Sequence, residues 1–115
     1  MLDFACHAVT TVTIGNAEQI VAIPGIDVLL IGTNDLCLEM GIPGQLDNAR
    51  VMATVDCVVR ACPTHGQWPG LGGVHGKDLL KQYIGRSMRM ILAGNDIGLL
   101  LGAVQEQASF ARSCL

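Results

Sequence analysis

The sequence predicts an α/β fold built on a parallel sheet, and three observations carry that prediction. Short, wholly apolar runs such as Val28 to Ile31 are what a strand covered on both faces requires. Between such runs lie stretches with apolar residues at helical spacing, as in Val51, Met52, Val55, Val58, Val59 and Cys62. The connections are short, so strand and helix alternate four times in the manner of right-handed β-α-β units.

The Val- and Thr-rich stretch from Ala5 to Thr13 suits a strand. Asn16 caps a short helix that runs to about Ala22, where Pro24 and Gly25 end it. Asp27 to Ile31 is the next strand, and a loop rich in glycine and proline follows it. Asp47 or Asn48 caps a helix from Ala49 to about Thr64, whose apolar stripe should pack on the sheet. Trp68 to Val74 is a short strand with glycines at its end. Lys77 to Ile84 is a helix that stops at Gly85, and Met88 to Ala93 is a fourth strand. Gly94, Asn95 and Asp96 then open a last helix that reaches about Arg112.

The 115 residues suit one small domain, and no linker divides them. Half of the residues are hydrophobic and only 3% aromatic, so the core must be aliphatic. A net charge of −3 with seven scattered Lys and Arg excludes a nucleic-acid surface, which needs clustered cations. The apolar stretch from Ile97 to Val104 falls far short of the roughly 20 residues of a membrane span. Five cysteines, with no C-x-x-C spacing among them, point to reduced thiols and not to zinc or a disulfide frame. Cys57 and Cys62 are expected to act as small hydrophobes on a helix face. With no basic segment after Met1, a cytoplasmic protein is expected.

The chemical clue is Asp35, three residues beyond Gly32, which closes the apolar run. In α/β folds ligands gather at the carboxyl ends of the strands, and glycine there permits close approach. A weak echo joins residues 29–36 to residues 90–97: each runs from an apolar strand through glycine to Asn-Asp. Asp96 also suits a helix N-terminus, which repeated β-α units explain without a second site.

Taken in order, the segment from Asn16 through Gly32-Thr-Asn-Asp35-Leu, then Gly41-Ile-Pro-Gly44, Gly70-Leu-Gly-Gly73-Val and Leu92-Ala-Gly-Asn-Asp96 resemble the C-terminal half of the HpcH/HpaI aldolase and citrate lyase β-subunit family. The resemblance runs from about Val9 to Arg112. It implies about half of a (β/α)8 TIM-type barrel, with residues 1–9 as a poorly matching start and 10–115 as the last β-α units. It further implies divalent-metal-dependent cleavage of a carbon-carbon bond in a hydroxy-oxo acid, releasing pyruvate or a close relative. On this resemblance Asp35 binds Mg²⁺ or Mn²⁺, Gly32 and Asn34 lie along the oxo-acid substrate, and amides near Asn34 and Asp35 donate to its carboxylate.

The same resemblance marks what this sequence lacks. A full barrel takes roughly 250 residues, and the family's base His and substrate-binding Arg belong to the other half. A second metal-binding Glu is expected just before Thr10, where Val9 stands. A truncated or alternatively started chain is therefore expected, and a catalytically inactive half-barrel acting through association is the alternative function. A nucleotide-binding module ranks below both, because Gly70-Leu-Gly-Gly73 lacks the Gly-Lys-Ser/Thr ending of a P-loop.

The histidines carry less. His65 suits a helix end at the surface, His75 a loop at the barrel mouth that could reach a ligand, and His7 no role. Trp68 and Pro69 are expected to seal the barrel bottom. The Leu99, Leu100, Leu101 and Val104 stripe reads as core or subunit interface, and exposed strand edges favour a homo-oligomer.

Overall fold

The structure, a computed structural model, describes the backbone of residues 5–8 and the whole of residues 10–115. Four strands, β1 (Ala5–Ala8), β2 (Val28–Gly32), β3 (Trp68–Gly72) and β4 (Met90–Ile91), form one sheet in the order β1-β2-β3-β4. All three pairings are parallel, with Ala8 beside Ile31, Gly32 beside Gly72 and Leu71 beside Ile91. A strand order that follows the chain without reversal is the winding of a barrel; a doubly wound sheet reverses at a switch point.

Helices α1 (Thr11–Gly15), α2 (Ala17–Val21), α3 (Thr33–Glu39), α4 (Ala49–Ala61), α5 (Lys77–Gly85) and α6 (Asp96–Ser113) fill the connections, with a 3-10 turn over Cys62–His65 after α4. The core lies between the helices and one face of the sheet. Leu29, Ile31 and Leu71 from the strands meet Ile14, Val21, Leu36, Val51, Val55, Val58 and Tyr83 from the helices. It is almost wholly aliphatic, as the composition requires. Val28 and Leu30 turn the other way, and at Gly70 of β3 a Cβ would stand 2.8 Å from Val28 Cγ1 and 2.9 Å from Leu30 Cδ1. Glycine at position 70 is what lets those two side chains lie across the neighbouring strand.

Several elements depart from the sequence reading. Thr11 to Thr13 belong to a helix: Thr10 adopts extended backbone as N-cap, and its Oγ1 accepts from the Thr13 N–H at 3.1 Å. The expected loop after β2 begins with α3. The predicted long helix ends at Ala61 and tightens into the 3-10 turn, which Gly66 closes with φ +78°. Asn48, not Asp47, caps α4 by accepting from Arg50 N–H. Cys62 is fully buried as a small hydrophobe should be, whereas Cys57 is exposed. No described helix is long and apolar enough to cross a membrane.

Candidate functional site

The carboxyl ends of β2 and β3 finish side by side in Gly32 and Gly72. Gly32 serves as the N-cap of α3, so Thr33, Asn34 and Asp35 form that helix's first turn directly at the sheet end. Two hydrogen bonds hold this turn to β3. Thr33, fully buried, donates from Oγ1 to the Gly72 carbonyl at 2.8 Å, and Asn34 Nδ2 donates to the Gly73 carbonyl at 3.3 Å. Gly73 has φ +91°, and a Cβ built there would lie 2.7 Å from Asn34 Nδ2 and 2.8 Å from Thr33 Oγ1.

Gly32, Thr33, Asn34, Asp35, Gly72, Gly73 and Leu92 together line a hollow of about 180 Å³. Gly32, Asn34 and Asp35, the three residues singled out in the sequence, all lie along it. Asp35 is exposed and has no hydrogen-bond or ion-pair partner among the described residues. At the other end of α3, Glu39 accepts from the Thr11 hydroxyl at 3.0 Å and from the Thr11 N–H at 3.3 Å, which ties α3 to the start of α1. Thr33 and Gly73 lie within the motifs quoted above without being singled out as site residues, and Glu39 was not singled out at all. Their only advance signal was a Thr directly after a strand-ending glycine and a second glycine behind Gly72.

As a metal site the donor set is sparse. Among the described residues no group of three His, Cys, Asp or Glu side chains comes together. Val9, where a second carboxylate was expected, lies outside the described residues. An unpaired carboxylate beside glycines suits Mg²⁺ or Mn²⁺ in the manner these hard ions prefer, with one or two carboxylates and the remaining positions held by water and substrate. The residues present fit such a water-rich site.

His75 is exposed and lines a second hollow of about 270 Å³ with Ala93, Gly94, Asn95, Gly98 and Leu99, at the same end of the sheet. His65 is exposed at the end of the 3-10 turn, and only the backbone of His7 is described, in β1. A hollow of about 460 Å³ lies at the opposite end, lined by Trp68, Pro69, Pro63 and Arg89 among others. Trp68 is 53% exposed there. The two Asn-Asp repeats are not equivalent either: Asp35 is the third residue of its helix, whereas Asp96 is the first of α6 and accepts from the Ile97 N–H.

Comparison with known proteins bears on the family. A family model described as HpcH/HpaI aldolase/citrate lyase matches residues 7–103. A 4-hydroxy-4-methyl-2-oxoglutarate aldolase of Hapsidospora irregularis is 38% identical over 96 residues, which are 81% of this chain and 36% of that protein. A 4-hydroxy-2-oxo-heptane-1,7-dioate aldolase of Escherichia coli is 28% identical over 82% of this chain and 36% of its own length. The crystal structure of an HpcH/HpaI aldolase/citrate lyase family protein from Burkholderia cenocepacia superposes with a TM-score of 0.83 at 24% identity, covering 94% of this chain and 42% of that one. The chain spans well under half the length of the relatives it matches. With a family match over most of its residues and the barrel winding of its sheet, the chain belongs to the HpcH/HpaI aldolase/citrate lyase family.

Proposed function

We propose that the chain carries the metal-binding part of an aldolase site that cleaves a hydroxy-oxo acid to pyruvate or a related oxo acid. The observation that carries this reading is the convergence of Asp35 with Gly32, Asn34, Gly72 and Gly73 in one hollow at the carboxyl end of a singly wound parallel sheet. The relatives' names support the substrate class, since each is an aldolase of a 4-hydroxy-2-oxo acid.

Asp35 would hold Mg²⁺ or Mn²⁺. A divalent cation there supplies positive charge where negative charge develops on oxygen as the carbon-carbon bond breaks. The chain's own residues bind and orient. Gly32 leaves room for the oxo acid to approach the backbone, and Asn34, held by the Gly73 carbonyl, flanks it. Free amides of the first turn of α3 face the substrate carboxylate. The single partial domain acts in the cytoplasm on a small molecule, and α6, which buries none of its own residues, seats on a second copy in a homo-oligomer.

The test is Mn²⁺-dependent pyruvate release from 4-hydroxy-4-methyl-2-oxoglutarate, followed by a coupled lactate dehydrogenase assay. Release that is lost in Asp35→Ala supports the reading, and because Asp35 is exposed, circular dichroism should show the fold retained. A second reading, an inactive half-barrel that acts by association, is favoured by the single carboxylate at the site. It stands if the chain associates but releases no pyruvate at any metal concentration.

A further inference from the structure

Resting on the oxo-acid reading above, we propose that His75 is a specificity-determining residue that receives a carboxylate at the far end of a dicarboxylic oxo acid. Size is the first argument. The hollow beside Asp35 holds about 180 Å³, below the roughly 300–1,000 Å³ of sites that enclose larger ligands. It is smaller than a site that encloses a whole larger ligand, so a longer substrate bound there extends along the open ends of the strands.

Continuity is the second. Gly73 and Leu92 border the first hollow, while His75, two residues beyond Gly73, and Ala93, the residue after Leu92, border the second. A substrate extending from Asp35 past the ends of β3 and β4 therefore enters the second hollow. Val74 between them is buried, 2% exposed, and anchors the loop so that His75 is held at the mouth.

Chemistry is the third. Ala93, Gly94, Gly98 and Leu99 offer no polar side chain, and Asn95 Oδ1 is engaged by the Gly98 N–H at 2.7 Å. His75 is the one titratable side chain lining this hollow, and it has no hydrogen-bond partner among the described residues. Its ring N–H, beside the Nδ2 of Asn95, is a side-chain donor suited to a carboxylate arriving there.

The proposal is tested on the full chain with Mn²⁺ by titrating two stable oxo acids, pyruvate and 2-oxoglutarate, which differ by the distal carboxylate. Calorimetry should show 2-oxoglutarate binding about five- to tenfold more tightly, the scale of one exposed charge-assisted hydrogen bond. His75→Ala should bring the two affinities together with pyruvate binding unchanged, and His75→Asp should make 2-oxoglutarate the weaker ligand. The His75 ring resonances should shift on addition of 2-oxoglutarate and stay still with pyruvate. If pyruvate binds but the preference is missing or survives in His75→Ala, the His75 assignment is wrong and the oxo-acid site stands. If neither acid binds, the oxo-acid site is refuted and the assignment falls with it.

Discussion

Thr33 and Asn34 donate to the carbonyls of Gly72 and Gly73, and this pair of contacts decides where Asp35 stands. Gly73 is the residue on which the clamp turns. Its φ of +91° disfavours any L side chain, and a Cβ would press on both donors at once. Gly73→Ala is expected to cost about 1–3 kcal/mol of stability in urea unfolding and to displace Asn34 from its carbonyl. Mn²⁺ and oxo-acid affinity should fall with it, although Asp35 itself is untouched. Thr33→Val tests the neighbouring bond: a fully buried hydroxyl is removed and the Gly72 carbonyl loses its partner, for an expected loss of about 1–3 kcal/mol. A Gly73→Ala protein as stable as the parent would show that the strand end adapts without a clamp.

Between elements, two buried titratable groups act as pH-sensitive fasteners. Cys62, at the end of α4, has its thiol pushed up from 9.0 to about 11 by burial, opposed in part by a hydrogen bond with the Leu29 backbone. Tyr83 of α5 donates its hydroxyl to the Leu46 carbonyl, and burial, with the nearby Cys37 and Asp47, raises it from 10.0 to about 12 against the lowering effect of Arg86. Both folded values lie above the unfolded ones, so the stability they contribute is complete below pH 9 and pH 10 respectively and is lost as pH rises through the folded values. Urea stability should therefore decline between about pH 9 and 12, and Cys62→Ala should flatten the lower part of that decline. Tyr83→Phe should cost about 1 kcal/mol at pH 7 by stranding the Leu46 carbonyl. Elements of this kind were legible in the sequence where periodicity had length to act: α4 was found with Asn48 as one of two cap candidates, and α6 was found with its opening placed at Gly94-Asn95-Asp96 but without Asn95 singled out as the cap. α3 was missed because seven residues bury only Thr33, Leu36 and Cys37, too short a pattern to register before the Gly41-Ile-Pro-Gly44 turn. α1 was missed because its β-branched residues favour strand, and the Thr10 cap overrode that preference. The Gly32–Asp35 half of the site was local and therefore readable; the Gly73 half joins residues 39 apart, which no local pattern reports.

The whole molecule is elongated, 59 × 35 × 22 Å, and α6 is its unsupported part. None of its 18 residues is buried. Ile97, Leu100, Leu101 and Val104 recur at i, i+3, i+4 and i+7 and form one apolar stripe, with Ile97 74% and Leu100 68% exposed. A helix that carries Gly98 and Gly102 and buries none of its residues is marginal in water, because helices in proteins draw most of their stability from packing an apolar face. The sheet adds a second reason for association, since the described strands leave β1 and β4 as open parallel edges. On the homo-oligomer proposed above, a second copy meeting the α6 stripe would supply the missing contact surface. Sedimentation equilibrium should accordingly give a mass above the 12.1 kDa of one chain, rising with concentration. The double variant Leu100→Glu, Val104→Glu places charge in the middle of the stripe and should return the mass to one chain. Its far-ultraviolet circular dichroism should lose signal only from α6, because no core residue is altered. A parent chain that stays monomeric across the concentration range would mean that α6 is covered by something other than a second copy.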